Sequence, residues 1–132
     1  MDKAQLEEDI TKIEAYLDEN GIQAKVHSSG IRYVVVDGGD GRKPDICNSV
    51  KVTYKGWFLS NDSLFDQSQQ EISLGLSRVI TGWQIGVPLI KKGGKIVLYI
   101  PSVYAYGEAG SGTAIPPNSN LIFEIELKDI FR

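Results

Sequence analysis

The chain has 132 residues, 42% of them hydrophobic and 23% charged, with a formal net charge of −3. This length suits one domain that buries a core without staples, and Cys47, the only cysteine, excludes an internal disulfide and a cysteine-based metal cluster. No run is basic enough to neutralise phosphates, so nucleic acid is excluded as an expected partner.

The first element is a helix expected over residues 4–20. Leu6, Ile10, Ile13 and Leu17 recur at spacings of four, three and four, which aligns them on one stripe. Asp2 suits the N-cap; Glu7, Glu8 and Asp9 suit the positive end of the helix dipole; Asn20-Gly21 is a stop signal. The stripe is read as packing against the chain's own domain, which makes a monomer the expectation. The alternative is a homodimer seam through this N-terminal helix. His27, the only histidine, is read as a solvated residue of a connection, and Cys47 as a small apolar filler.

After Gly30 the chemistry becomes that of strands. Ile31–Val36 is β-branched and aromatic, and 37–45 is a Gly- and Pro-rich loop. Val50, Val52 and Tyr54 alternate with Lys51, Thr53 and Lys55, as in a half-buried antiparallel strand. A short helix is expected over Ile80–Leu89 and another strand over Lys95–Ile100. The clearest alternation is the last: Leu121, Phe123, Ile125 and Leu127 point one way, Ile122, Glu124, Glu126 and Lys128 the other. The fold class is therefore α+β: an antiparallel, twisted sheet wrapped around one short helix and preceded by an amphipathic helix. The expected division is 1–27 as a helical extension and 28–132 as the main domain. No apolar stretch reaches the roughly 18 residues of a transmembrane helix, and no signal peptide is recognisable. The chain as it stands reads as cytoplasmic; removal of an export signal would make it periplasmic or lipoprotein-anchored.

Familiar catalytic constellations fail one by one. The Gly86–Lys95 spacing is wrong for a phosphate loop, and Ile96 follows the lysine instead of Ser or Thr. The glycines of 107–112 lead into Thr-Ala-Ile-Pro-Pro and open no helix for an anion. No Gly-x-Ser-x-Gly elbow is present, and no metal-ligand spacing appears. Chemistry on this chain must then need no nucleophile, metal or cofactor. Rotation about a prolyl imide, with a barrier of roughly 18–20 kcal/mol, is such a reaction.

Five segments occur in order: Val52-Thr53-Tyr54-Lys55-Gly56, Leu64-Phe65-Asp66-Gln67-Ser68, Val79-Ile80-Thr81-Gly82-Trp83, Ile100-Pro101-Ser102-Val103-Tyr104-Ala105-Tyr106-Gly107, and the run from Ile115-Pro116-Pro117 to Leu127. Together, over roughly 30–132, they resemble the FKBP-type peptidyl-prolyl isomerases, and the helical arm before them is similar to bacterial members. The resemblance implies an FKBP-like fold, prolyl isomerisation in polypeptide substrates, assistance to protein folding, and no cofactor. It implies an aromatic pocket with Trp83 as floor and Tyr54, Phe65, Val79, Ile80, Tyr106 and Phe123 as walls, with Ile115 contributing from the late loop. Asp66 and Tyr106 are the implied catalytic residues. The Tyr106 hydroxyl suits donation to the substrate carbonyl; Asp66 either polarises the twisted imide or orients its neighbours. Partners implied are proline-containing polypeptides and the macrolide inhibitors tacrolimus and rapamycin.

The chain departs from the family pattern in two ways. The stretch from Asp66 to Gly75 is shorter than in compact members, with Gln70 where an aromatic wall residue stands, and no basic partner for the aspartate is apparent. One wall is therefore expected to be open or polar. That departure sustains a second reading, a proline-peptide-binding chaperone module with weak or no turnover.

Overall fold

Helix α1 (Lys3–Glu19) starts as its sequence dictates, with the Asp2 carboxylate accepting from the Gln5 amide at 3.0 Å. The computed structural model describes residues 2–131; Met1 and Arg132, the outer ends of the expected division, lie outside them. The helix ends in a Schellman arrangement. The amide of Ile22 donates to Leu17 O at 2.9 Å and that of Gly21 to Asp18 O at 3.2 Å, with Ile22 packed in the same cluster as Leu17.

Seven strands follow: β1 (Lys25–Val26), β2 (Arg32–Asp37), β3 (Ser49–Phe58), β4 (Leu64–Gln67), β5 (Ile72–Gly75), β6 (Lys95–Ile100) and β7 (Leu121–Phe131). All pairings are antiparallel, in the order β1-β2-β6-β7-β3-β4, with β5 also on β3. The outer edge of β3 is shared. Residues 55–57 pair with β4 and residues 49–52 with β5, while its inner edge runs along β7 throughout. The expected β6 coincides with the observed strand. The expected 80–89 helix is α2 (Thr81–Gly86) continued by a 3₁₀ turn over Val87–Leu89.

The period of two divides the hydrophobic residues between two faces. Ile96, Leu98, Ile100, Leu121, Phe123, Ile125 and Leu127 join Val50, Val52 and Trp83 in the main core under α2. Tyr99 and Ile122, on the other face of the same strands, join Ile13, Leu17 and Leu59 under α1. The apolar stripe of α1 is thus spent on the chain's own sheet. Among the described residues no helix is long and apolar enough to cross a membrane.

Two expectations need correcting. Cys47 is exposed, not a core filler: it lies in the turn after Pro44, its amide donating to Asp45 Oδ1 at 2.8 Å. Asp9 is no surface acid for the helix dipole. The first turn of α1 carries no acidic residue, and Asp9 is completely buried.

Candidate active site

Helix α2 lies unusually close to the sheet because it presents glycine to it. A Cβ on Gly82 would stand 2.6 Å from Ile100 Cγ2, and one on Gly86 2.4 Å from Leu98 Cδ1. No ordinary side chain fits either contact, so the i, i+4 glycine pair seats α2 on β6. This seating aims Trp83, between the glycines, into the space above β3 and β7. Gly56 performs the same service on β3, where a Cβ would meet the rings of both Phe123 and Phe65 at 2.8 Å.

The rings then interlock. Trp83 meets Tyr54 edge-on at 5.2 Å and 80°, and Phe123 at 5.3 Å and 85°. Phe65 meets Phe123 at 5.6 Å and 83°. These are the preferred edge-to-face geometries. They enclose a cavity of about 330 Å³ lined by Tyr54, Phe65, Asp66, Val79, Ile80, Trp83, Tyr106 and Phe123, together with Ile72, Leu74 and Arg78.

Trp83 is only 4% exposed and forms the floor. Its indole Nε1 is buried without a hydrogen-bond partner among the described residues. A buried donor left unpaired costs about 1–3 kcal/mol, so the floor of the cavity carries an unmet polar group in the packing beneath it. The Tyr54 hydroxyl donates to Asp66 Oδ2 at 2.8 Å. Burial, then this hydrogen bond, pushes the Tyr54 hydroxyl up to about 12. The Tyr54 backbone is fixed as well: its amide donates to Ser68 Oγ at 2.9 Å and its carbonyl accepts from the Ser68 amide at 2.9 Å. Tyr106 stands at the rim, 37% exposed, its hydroxyl raised by burial and by nearby Asp66.

The structure brings eight of the nine expected site residues to this cavity and leaves out Ile115. Ile115 is buried instead, its amide and carbonyl paired with Ser111 in an isolated bridge. Phe65 and Asp66 lie in β4. The wall expected to be open or polar is furnished by Ile72 and Leu74 of β5, with Gln70 exposed and outside the lining. These two and Arg78 escaped the sequence reading. The alternation of Ile72 and Leu74 about Ser73 was the available signal for a strand there.

A larger groove, about 520 Å³, runs between α1, the Phe58–Asn61 turn and the 116–120 loop. It lacks a converging set of rings with a carboxylate among them, so the smaller cavity is the candidate site.

Known proteins agree on the setting. Residues 40–128 match the family model of FKBP-type peptidyl-prolyl cis-trans isomerases. The probable FKBP-type isomerase FkpA of Neisseria meningitidis is 38% identical over 97% of this chain and 48% of its own length. FkpA of Escherichia coli is 43% identical over 89% of this chain and 43% of its own length. The chain thus spans about half the length of these curated relatives. The crystal structure of a peptidyl-prolyl cis-trans isomerase from Pseudomonas syringae superposes with a TM-score of 0.85 at 34% identity, covering 100% of this chain and 97% of the other.

Proposed function

The chain belongs to the FKBP-type peptidyl-prolyl cis-trans isomerase family, and we propose that its aromatic cavity binds Xaa-Pro segments of other polypeptides and speeds rotation of the imide. The observation that carries this reading is the convergence of Tyr54, Phe65, Trp83, Tyr106 and Phe123 on one small concavity beside Asp66. A pyrrolidine ring is rigid and apolar, so a cradle of rings holds it at low entropic cost. A planar imide separates charge between oxygen and nitrogen, and water stabilises that separation. Twisting reduces it, so a water-poor cavity disfavours the planar ground state more than the twisted transition state.

The residues divide the work. Trp83 underlies the ring. Tyr106, at the rim with its hydroxyl held protonated well above neutral pH, donates to the carbonyl of the residue before proline. Asp66 acts mainly as an orienting group, because its Oδ2 already accepts from the Tyr54 hydroxyl. Of the two roles weighed for Asp66, this hydrogen bond supports the second. Tacrolimus and rapamycin compete for the same cavity in this reading. The burial of Ile13 and Leu17 against the chain's own sheet supports a monomer, since the C-terminal half of the stripe is already covered by the chain itself.

A protease-coupled or refolding-coupled assay tests the proposal against an uncatalysed step of tens to hundreds of seconds. Accelerated exchange that weakens in Tyr106→Phe and in Asp66→Ala is the expected result. A rate equal to buffer, with the fold intact, overturns it. Peptide binding without catalysed exchange would select the chaperone reading.

A further inference from the structure

We infer that Asp9 is a positioning residue for Tyr106, acting through Ser102, so that the N-terminal helix belongs to the catalytic device. The inference rests on the isomerase reading above and extends it to a residue of the helix. Its starting point is an oddity of packing. Asp9 and Ser102 are both 0% exposed, and the Ser102 hydroxyl donates to Asp9 Oδ2 at 2.6 Å across 93 residues of chain. Gln5 Nε2 donates to the other carboxyl oxygen at 2.8 Å. No basic side chain pairs with Asp9 among the described residues. Burying a carboxyl group is costly even when hydrogen-bonded. Mere adhesion of the helix is served by Ile13 and Leu17. What a hydrogen-bonded carboxyl adds is direction.

That direction is spent on Ser102, where the turn carrying Tyr106 is anchored. The Ser102 amide donates to the buried Asn120 Oδ1 at 2.9 Å. Its carbonyl accepts from the amides of Ala105 at 3.0 Å and Gly107 at 2.9 Å, the residues on either side of Tyr106. Gly107 O in turn accepts from the Asn118 amide at 2.8 Å. Tyr106 is therefore displayed from a turn whose two flanking amides meet at the Ser102 carbonyl, with Gly110 N donating to Tyr106 O at 3.1 Å from the far side, and Asp9 is the one side chain of α1 that holds Ser102 by a hydrogen bond. A misplacement of about 1 Å can cost a positioned catalytic group up to a hundredfold in rate. A tilt of Ser102 passes to both bonds that flank Tyr106.

The test is a mutant cycle on kcat/KM for a proline tetrapeptide, with amide hydrogen exchange on the same proteins. Asp9→Ala should lower kcat/KM by about three- to tenfold, the scale of one or two net hydrogen bonds. Asp9→Asn, which keeps an acceptor for Ser102, should restore most of it. In a Tyr106→Phe background Asp9→Ala should cost nothing further, although its effect on thermal unfolding persists. The amides of Ala105 and Gly107 should exchange faster in Asp9→Ala. Leu17→Ala, which weakens the helix away from Ser102, should lower the unfolding midpoint and leave both readouts alone. Should Asp9→Ala fail to fold, Ser102→Ala cuts the same bond from the other side. An equal loss with and without the Tyr106 hydroxyl, or unchanged exchange at Ala105 and Gly107, overturns the inference. If the wild-type chain itself fails to accelerate isomerisation, the isomerase reading has failed separately. The exchange rates at Ala105 and Gly107 then decide the structural link alone.

Discussion

On the face of the sheet covered by α1, the Tyr16 hydroxyl donates to Asp62 Oδ1 at 2.7 Å; on the face covered by α2, the Tyr54 hydroxyl donates to Asp66 Oδ2 at 2.8 Å. Both hydroxyls are pushed up to about 12, in each case first by burial and then by the aspartate. The chemistry is the same, and the company differs. Around Tyr16 one ring, Tyr99, packs at 6.2 Å, and Tyr16 borders both the groove of about 520 Å³ and a small recess with Trp57, Asp62 and Ile122, neither of which gathers interlocking rings about it. Around Tyr54 the rings of Trp83, Phe123 and Phe65 interlock, and eleven residues enclose the cavity. A tyrosine–aspartate pair is thus a fastening on one face and part of a socket on the other. The enclosure, built by glycines that let rings and helix close in, makes the difference.

The sharpest way to break this contrast is to empty each face in turn. Trp83→Ala removes the floor of the socket and should cost about 3–5 kcal/mol of stability, while Leu17→Ala under α1 should cost about 2–5 kcal/mol. Denaturant unfolding measures both. The two losses overlap, yet the consequences for catalysis should not. In Trp83→Ala kcat/KM should fall by roughly tenfold or more, at least the 1.4 kcal/mol of binding that factor represents. In Leu17→Ala, assayed where it is folded, kcat/KM should be unchanged. Equal catalytic losses would mean that the two faces are not functionally distinct.

How much of this was legible follows from how local each signal was. The caps and stripe of α1 lie within its own residues, β6 is one β-branched and aromatic run, and β7 alternates from Phe123 to Lys128, so each announces itself. The pocket residues were readable through the family's five segments, and eight of nine converge. The failures are non-local. β4 and β5 are four residues each and exist because β3 offers its outer edge to both. Ile115 turns inward because it pairs with Ser111, which no spacing rule signals. Asp9 resembled an ordinary acid near a helix start, and its partner is 93 residues away. Cys47 was misread because cysteine's average preference for burial says nothing about a turn held by Asp45 and Asn48.

A gentler comparison removes only the hydroxyls. Tyr16→Phe and Tyr54→Phe each delete one net hydrogen bond, worth about 0.5–1.5 kcal/mol, with solvent access favouring the low end. Thermal or urea midpoints should fall alike. Only Tyr54→Phe should also lower kcat/KM, because it frees Asp66 and the wall it holds. A matching catalytic loss in Tyr16→Phe would erase the distinction between fastening and socket.

The smallest effect is also the one whose sign is fixed in advance. In the unfolded chain tyrosines lose their protons near pH 10, whereas folded Tyr16 and Tyr54 keep theirs to about 12. Between these values the unfolded state has released protons that the native state still binds, so stability falls as pH rises. Below pH 10 the contribution is fully present. Tyr99 and Tyr106 are raised as well and act in the same direction. The urea midpoint should therefore decline through this window. Tyr16→Phe and Tyr54→Phe should each flatten the decline, and the double variant should flatten it further while Tyr99 and Tyr106 leave a residual slope. Catalysis should show no tyrosine titration between pH 7 and about 9, because the Tyr54 and Tyr106 hydroxyls stay protonated there. A midpoint that holds level to pH 12 would show that neither burial nor the aspartates hold these protons in solution, and the symmetry of the two faces would go with it.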